Sequence, residues 1–380
     1  MLHAIIMAGG TGTRFWPASR IDAPKQLLSL VDDGTMIRQT VDRLSNLVTP
    51  ERTLVVTNQR LTHPIAKQLP ELPASSILGE PCKRDTAPCI GLAALLVSRD
   101  DVDATLVVMP ADHVIRNADQ FQASVRHGTR LVNDNSQKNS TSGRIVTFGI
   151  RPSYAAEIFG YIQRGSPLEI AGDQSSESTI SSTPDRSNFP TYQVKQFREK
   201  PNTATATDYL ASGDYYWNSG IFIWKAQTIL EALAKWQPQM LSHLRAIVDA
   251  WDTDRQQSVL EREFSAIDAI SIDYAVMEHA TDVVVIEAPF DWDDLGGWQS
   301  LARLLGSDSQ GNTLVGKQLT MNCSNTIVRS TEDHLVVSLG MSDCIIVHTP
   351  DATLVANRHD EESIRAVVKE LQSRGWNEYL

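Results

Sequence analysis

Four cysteines in 380 residues, with no C-x-x-C pair among them, offer neither a disulfide framework nor a zinc half-site. Cys82, Cys89, Cys323 and Cys344 are most simply reduced thiols, and a cytoplasmic protein is the expectation. Long apolar runs are lacking too: none approaches the roughly 20 residues that cross a bilayer. The opening MLHAIIMAGG has neither the basic n-region nor the extended apolar h-region of a secretory signal, so no membrane role is expected. Positive charge is in short supply, 34 Lys and Arg against 46 Asp and Glu, a net −12. Holding nucleic acid through its backbone requires the opposite balance, which excludes that class of partner. A small anionic ligand stays open, because one local basic pocket suffices. What remains is an ordinary globular composition, 42% hydrophobic and 21% charged, long enough for two or three compact units.

Up to about residue 150, short β-rich runs at 2–8, 53–57, 75–79 and 104–112 alternate with amphipathic stretches, the pattern of βαβ units around a largely parallel sheet. Ile37, Val41, Leu44 and Leu47 fall on one helical face. Ile90, Ala93, Ala94 and Val97 fall on another, in a stretch apolar almost all round that must be buried. The polar segments 133–143 and 172–190 read as mobile surface loops. Strands are expected again at 144–150, 159–164, 192–198 and 282–287, and the run 219–226 reads as a strand feeding directly into a helix. From Gly311 to Ala356 short Val, Ile, Leu and Thr segments suggest successive rungs or hairpins, followed by a helix at 360–374.

Chemistry concentrates at a few places. Ala8-Gly9-Gly10-Thr11-Gly12-Thr13-Arg14 follows a buried strand directly, where glycines let the backbone turn tightly and bring N–H groups to an anion. It lacks the G-x-G-x-x-G of a dinucleotide fold and the Lys-Ser/Thr of a Walker loop. A plain turn is the alternative, but Arg14 and Lys25 place two cations just beyond it, as an anionic substrate requires. Asp112 in MPADH sits at another strand end, suited either to Mg²⁺ or to capping a turn. In FDWDDLGGW, Asp291, Asp293 and Asp294 cannot all be buried without a cation or a pKa shift; a solvated acidic loop is the competing reading. GEPCKRDTAP, FREKP and WNSG join hydrogen-bonding side chains to turn formers, as recognition of a sugar or base needs, though each singly reads equally well as a capped helix start.

Taken in order, GGTGTRFWPASR, PKQLL, EPCKRDTAP, MPADH, FREKP, WNSGIF and WDDLGGW resemble the sugar nucleotidyltransferases of the nucleotide-diphosphosugar pyrophosphorylase type, and within them the mannose-1-phosphate guanylyltransferase branch. The resemblance implies an α/β fold, a Rossmann-like (GT-A-like) mixed sheet flanked by helices over residues 1–305. A small C-terminal β-rich domain, left-handed β-helix-like, with a terminal helix would follow over 306–380. It implies transfer of GMP from GTP to mannose 1-phosphate, releasing pyrophosphate, with Mg²⁺ as cofactor. By resemblance Ala8, Gly9, Gly10, Gly12, Thr13 and Arg14 cradle the nucleotide phosphates, and Lys25 reaches them. Glu80, Arg84, Thr86 and Ala87 serve the base side. Gly160, Glu199, Lys200, Asn218 and Gly220 meet the sugar phosphate, and Asp112 and Asp294 hold the metal. Arg14, Lys25 and Asp112 are the expected catalytic residues.

Two departures stand out. Asp85 occupies a position where the guanylyltransferases usually have Asn, and in Glu157-Ile158-Phe159-Gly160-Tyr161-Ile162 only the last three residues fit the family's TGYGYI. From the length of the sequence, the cupin domain of the longer members is not expected after Leu380, and a homodimer is expected. The rival readings are a thymidylyltransferase acting on glucose 1-phosphate and a catalytically silent homologue that senses a nucleotide sugar. Retention of Arg14, Lys25, Asp112 and Asp294 together speaks against the second.

Overall fold

The computed structural model describes residues 1–10, 12–134, 143–168, 189–331 and 333–380. Most of the two polar stretches expected as surface loops lies outside these residues, as does Thr11.

The amino-terminal half folds as the alternation demands. Strands β1 (Leu2–Ala8), β2 (Thr53–Asn58), β3 (Ile77–Glu80) and β4 (Thr105–Pro110) are all parallel neighbours, in the order β3-β2-β1-β4. Helices α1 (Met36–Leu44), α2 (Thr62–Gln68) and α3 (Thr86–Asp100) lie between them in sequence, and α4 (Ala118–Asn133) follows β4. The β4 run TLVVM is buried at every position, because a parallel sheet is covered on both faces and so reads as continuous apolar sequence rather than alternation. Leu47, assigned to the α1 face, falls beyond the end of that helix, and β3 begins two residues later than its hydrophobic run suggests.

A two-residue strand, β5 (Val114–Ile115), precedes the rest of the main sheet: β6 (Ile145–Ile150), β7 (Tyr161–Pro167), β8 (Thr191–Arg198), β9 (Tyr215–Lys225) and β10 (Val283–Glu287). The nine strands run β3-β2-β1-β4-β9-β6-β10-β8-β7, with β9 antiparallel to β4 and β6, and β10 parallel to β6. Between β8 and β10 come α5 (Thr203–Ser212), α6 (Ala226–Trp236), α7 (Pro238–Asp249), α8 (Gln256–Ser265) and a π-helical turn at Asp273–Met277. Strand β9 starts earlier than its apolar run, so the WNSG motif lies within it, and it passes directly into α6. Gly91 of α3 faces Leu233 of α6 and Leu244 of α7 so closely that a Cβ there would lie 2.9 Å and 2.7 Å from their methyl carbons. This close helix packing explains why α3 is apolar nearly all round.

The short strand β11 (Trp292–Asp293) pairs antiparallel with β5. Helix α9 (Trp298–Leu305) leads into the second domain, which holds β12 (Thr313–Val315), β13 (Gln318–Met321), β14 (Ile327–Ser330), β15 (Val336–Leu339), β16 (Cys344–His348) and β17 (Thr353–Asn357). Here β12-β14-β16 form one parallel ladder and β13-β15 another, as successive rungs do, and β17 closes the first ladder antiparallel. Helix α10 (Ile364–Ser373) buries Ile364 and Leu371 in a core that also contains Phe15 and Trp298 of the first domain.

Candidate active site

After β1 the chain proceeds to β2 and β3 on one side and then returns to β4 on the other. The carboxyl ends of β1 and β4 therefore diverge into the crevice where open α/β sheets bind ligands. The glycine loop leaves β1 there, and Asp112 follows β4. Gly12 has φ +60, and a Cβ on it would lie 2.5 Å from Cβ and 2.7 Å from the backbone nitrogen of Lys25; only glycine lets the two segments touch. The carbonyl of Ala8 accepts from Gln26 Nε2 at 2.6 Å and from Thr57 Oγ1 at 3.0 Å, which pins the start of the loop.

Lys25 is buried. Its Nζ donates to Asp112 Oδ2 at 2.9 Å and to the carbonyl oxygen of Asp294 at 2.6 Å. The two aspartates are brought together by the β5–β11 ladder, in which Val114 pairs with Asp293. Both line a cavity of about 250 Å³ with Gly12, Thr13 and Arg14. Burial acts to raise the Asp112 carboxyl, but the charges of Lys25 and His113 and the Lys25 hydrogen bond outweigh it and hold the group below its ordinary value. Asp294, removed from water and next to Asp293, is pushed up to about 6 despite Lys25. His113 is driven down to about 4 by burial, and its Nδ1 accepts from Trp292 Nε1 at 3.2 Å.

The donor set suits a hard divalent cation. Oδ1 of Asp294 is buried with no hydrogen-bond partner, a costly state that an oxygen-seeking ion would relieve, and Asp112 offers a second carboxylate in the same cavity. Arg14 Nη1 donates to the Gly296 carbonyl at 3.1 Å, and Nη2 pairs with Glu362.

Asp112 also borders an adjoining cavity of about 240 Å³, whose walls include Gly9, Gly10, Gln26, Glu80, Asp85 and Thr86. Burial, reinforced by the Asp85 charge, raises Glu80 to about 8; its Oε1, like Oε1 of Gln26, is buried without a partner. Asp85 takes φ +66 and ψ −166, a region otherwise populated essentially by glycine, and its carboxylate accepts from the Thr86 N–H at the start of α3. Two residues placed on the base side by resemblance do not face this cavity. Arg84 donates to the Phe264 and Ser265 carbonyls at the end of α8, and Ala87 is packed in the core.

The remaining residues gather on the β7–β9 side. A Cβ at Gly160 would lie 2.5 Å from Glu199 Oε2, so the glycine makes room for that carboxylate, which pairs with Lys200. Asn218 donates to Asp273 Oδ1 at 3.1 Å, and its own Oδ1 accepts from Thr147 at 3.2 Å and from the Gly220 N–H at 3.3 Å. Gly220, at φ +69, lies against Pro110 and His113, which joins this cluster to the crevice. Asp273 was not singled out from the sequence. Burial and the Glu199 charge raise it to about 7, and the signal available was a carboxylate inside the apolar run ISIDYAVM. Gln26 was likewise passed over.

A Gly-rich turn and two acids at the carboxyl edge of a mixed sheet, with cations between them, define an α/β enzyme that handles nucleotide phosphates. The chain belongs to the nucleotidyl transferase family, whose family model matches residues 3–310, while a MannoseP isomerase/GMP-like beta-helix domain matches residues 316–371. It is 37% identical to a mannose-1-phosphate guanylyltransferase of Escherichia coli K12 over 100% of this chain and 75% of that one. With the enzyme of the same description from Klebsiella pneumoniae it shares 38% over 100% of this chain and 76% of that one. The fold matches a crystal structure described as mannose-1-phosphate geranyltransferase from Thermus thermophilus, with a TM-score of 0.80 and 29% identity over 98% and 99% of the two chains.

Proposed function

We propose that the protein transfers GMP from GTP to mannose 1-phosphate, forming GDP-mannose and pyrophosphate. The observation that carries the reading is the pair of unpartnered buried acceptors, Glu80 Oε1 and Gln26 Oε1, in the cavity next to the Lys25–Asp112–Asp294 cluster. Acceptors without donors call for a ligand rich in N–H groups. Guanine presents adjacent N1–H and N2–H donors, whereas thymine presents a single N–H between two carbonyls, so the wall with Glu80 ionised favours guanine over the thymidylyl alternative, and guanine's donors would in turn lower the raised Glu80 pKa.

The reaction brings a phosphate oxygen of the sugar in line with the α-phosphorus, opposite the departing pyrophosphate. Both reactants are polyanions, and their repulsion is the chief obstacle. Lys25 and Arg14 stabilise charge on the transferred and departing groups, and the loop N–H groups hold the triphosphate in place. Asp112 and Asp294 would hold Mg²⁺, which when bound neutralises phosphate charge and acts as a Lewis acid. Glu199, Lys200, Asn218 and Asp273 position the sugar phosphate; it is already ionised near neutral pH, so no protein nucleophile is needed. A homodimer in the cytoplasm belongs to the same proposal.

The test is to incubate purified protein with Mg²⁺, each nucleoside triphosphate and several sugar 1-phosphates, and to follow pyrophosphate release. GTP with mannose 1-phosphate should exceed every other pair. Equal or greater release with dTTP and glucose 1-phosphate would move the assignment to the thymidylyl branch, and no release under any condition would indicate a silent homologue.

A further inference from the structure

The phosphate cavity is not closed by the first domain alone. Arg365, in the first turn of α10, lines it together with Arg14, Lys25, Asp112 and Asp294. The neighbouring Glu362 places Oε1 2.9 Å from Nη2 of Arg14 and Oε2 3.5 Å from Nη1 of Arg365. A carboxylate that spans two guanidiniums with its two oxygens holds the position that two oxygens of a phosphate would take. Glu362 is 67% exposed, and an exposed ion pair of this kind is weak, so a ligand carrying several negative charges can displace it.

The backbone that presents Arg365 is held by other contacts. Glu361 turns inward, and its Oε1 accepts from the Gln299 N–H at 3.0 Å across Gly297, whose missing side chain leaves the space. Gln299 Nε2 donates to the Arg358 carbonyl at 3.0 Å, and Ile364 packs in the shared core with Phe15 and Trp298. Adjacent residues thus divide the work: Glu361 anchors the start of α10, and Glu362 faces the cavity with the two arginines.

We propose that the second domain completes the polyphosphate site. Arg365 binds the β- and γ-phosphates of the nucleoside triphosphate, and the pyrophosphate product, alongside Arg14. Glu362 occupies the two guanidiniums until phosphate replaces it. This rests on the nucleotidyl-transfer reading, but its test does not need the identity of base or sugar.

Inorganic pyrophosphate, with Mg²⁺ present, is titrated calorimetrically into the full chain and into Arg365→Ala, Arg365→Lys and Glu362→Gln, with the Tm of each recorded. Arg365→Ala should raise the pyrophosphate Kd about tenfold or more at unchanged Tm, because a charge-assisted contact is lost. Arg365→Lys should recover part of the affinity, and Glu362→Gln should tighten binding by removing the competing carboxylate. In steady-state assays the KM for GTP should follow the same order, with the KM for mannose 1-phosphate unchanged. An Arg365→Ala protein that binds pyrophosphate as tightly as the wild type overturns the proposal. If that variant does not fold, wild-type affinity in Arg365→Gln does so instead. A wild type that binds pyrophosphate but releases none from GTP and mannose 1-phosphate refutes the functional reading and leaves this inference standing.

Discussion

The ammonium of Lys25 lies 2.9 Å from the carboxylate of Asp112, buried at the point where the glycine loop and the end of β4 converge. Lys25 holds the Asp112 carboxyl ionised against the effect of burial.

On the proposed mechanism Lys25 compensates phosphate charge directly and Asp112 through the Mg²⁺ it would hold, so removing either residue weakens that compensation without touching the core of the sheet. Lys25→Ala and Asp112→Ala should each lower turnover by about a hundredfold or more, with far-UV circular dichroism unchanged. Near-normal turnover in either variant would remove that residue from the catalytic set.

Gly160 serves Glu199. A methyl group at residue 160 would displace the Glu199 carboxylate and with it the paired Lys200. Gly160→Ala should therefore raise the KM for the sugar phosphate about tenfold while the KM for GTP stays at its wild-type value. Steady-state kinetics with each substrate varied in turn separates the two, and a selective change in the GTP term would place Gly160 elsewhere.

Glu80 ties stability to pH. In the folded protein it keeps its proton up to about 8, whereas an unperturbed glutamate releases it near 4.5. Between those values the folded state binds more protons than the unfolded one, so this contribution to stability is complete below the lower value and is lost as pH rises through the upper. Glu80→Gln abolishes the titration. Thermal unfolding from about pH 5 to about pH 9 should show the variant gaining on the wild type as pH rises; parallel curves would mean that Glu80 titrates normally.

Gly297 joins the domains by leaving space for Glu361. Its backbone is extended, so alanine is penalised only by collision with that carboxyl group. Gly297→Ala should cost about 1–3 kcal/mol. In a Glu361→Ala background most of this cost should vanish, which a double-mutant cycle of unfolding free energies would reveal as coupling between the two positions. Additive effects would show that the two side chains act independently.

The sequence by itself determined the parts of this protein that depend on neighbours along the chain. Strand β1 ends in a turn that requires glycine, β4 reads as a continuously buried run, and Lys25 and Asp112 follow their turns at fixed offsets. The order of motifs also pointed to the family to which the chain belongs. Only the tertiary structure decided which side chains share a cavity. It set Asp294 beside Asp112 through the β5–β11 ladder, turned Arg84 away toward the end of α8, drew Asp273 in to meet Asn218, and brought Arg365 across from the second domain. The physical reason is that turn chemistry and hydrophobic period act over a few residues, whereas these meetings arise from hydrogen-bond ladders and packed cores between segments far apart in the chain, which no local window contains.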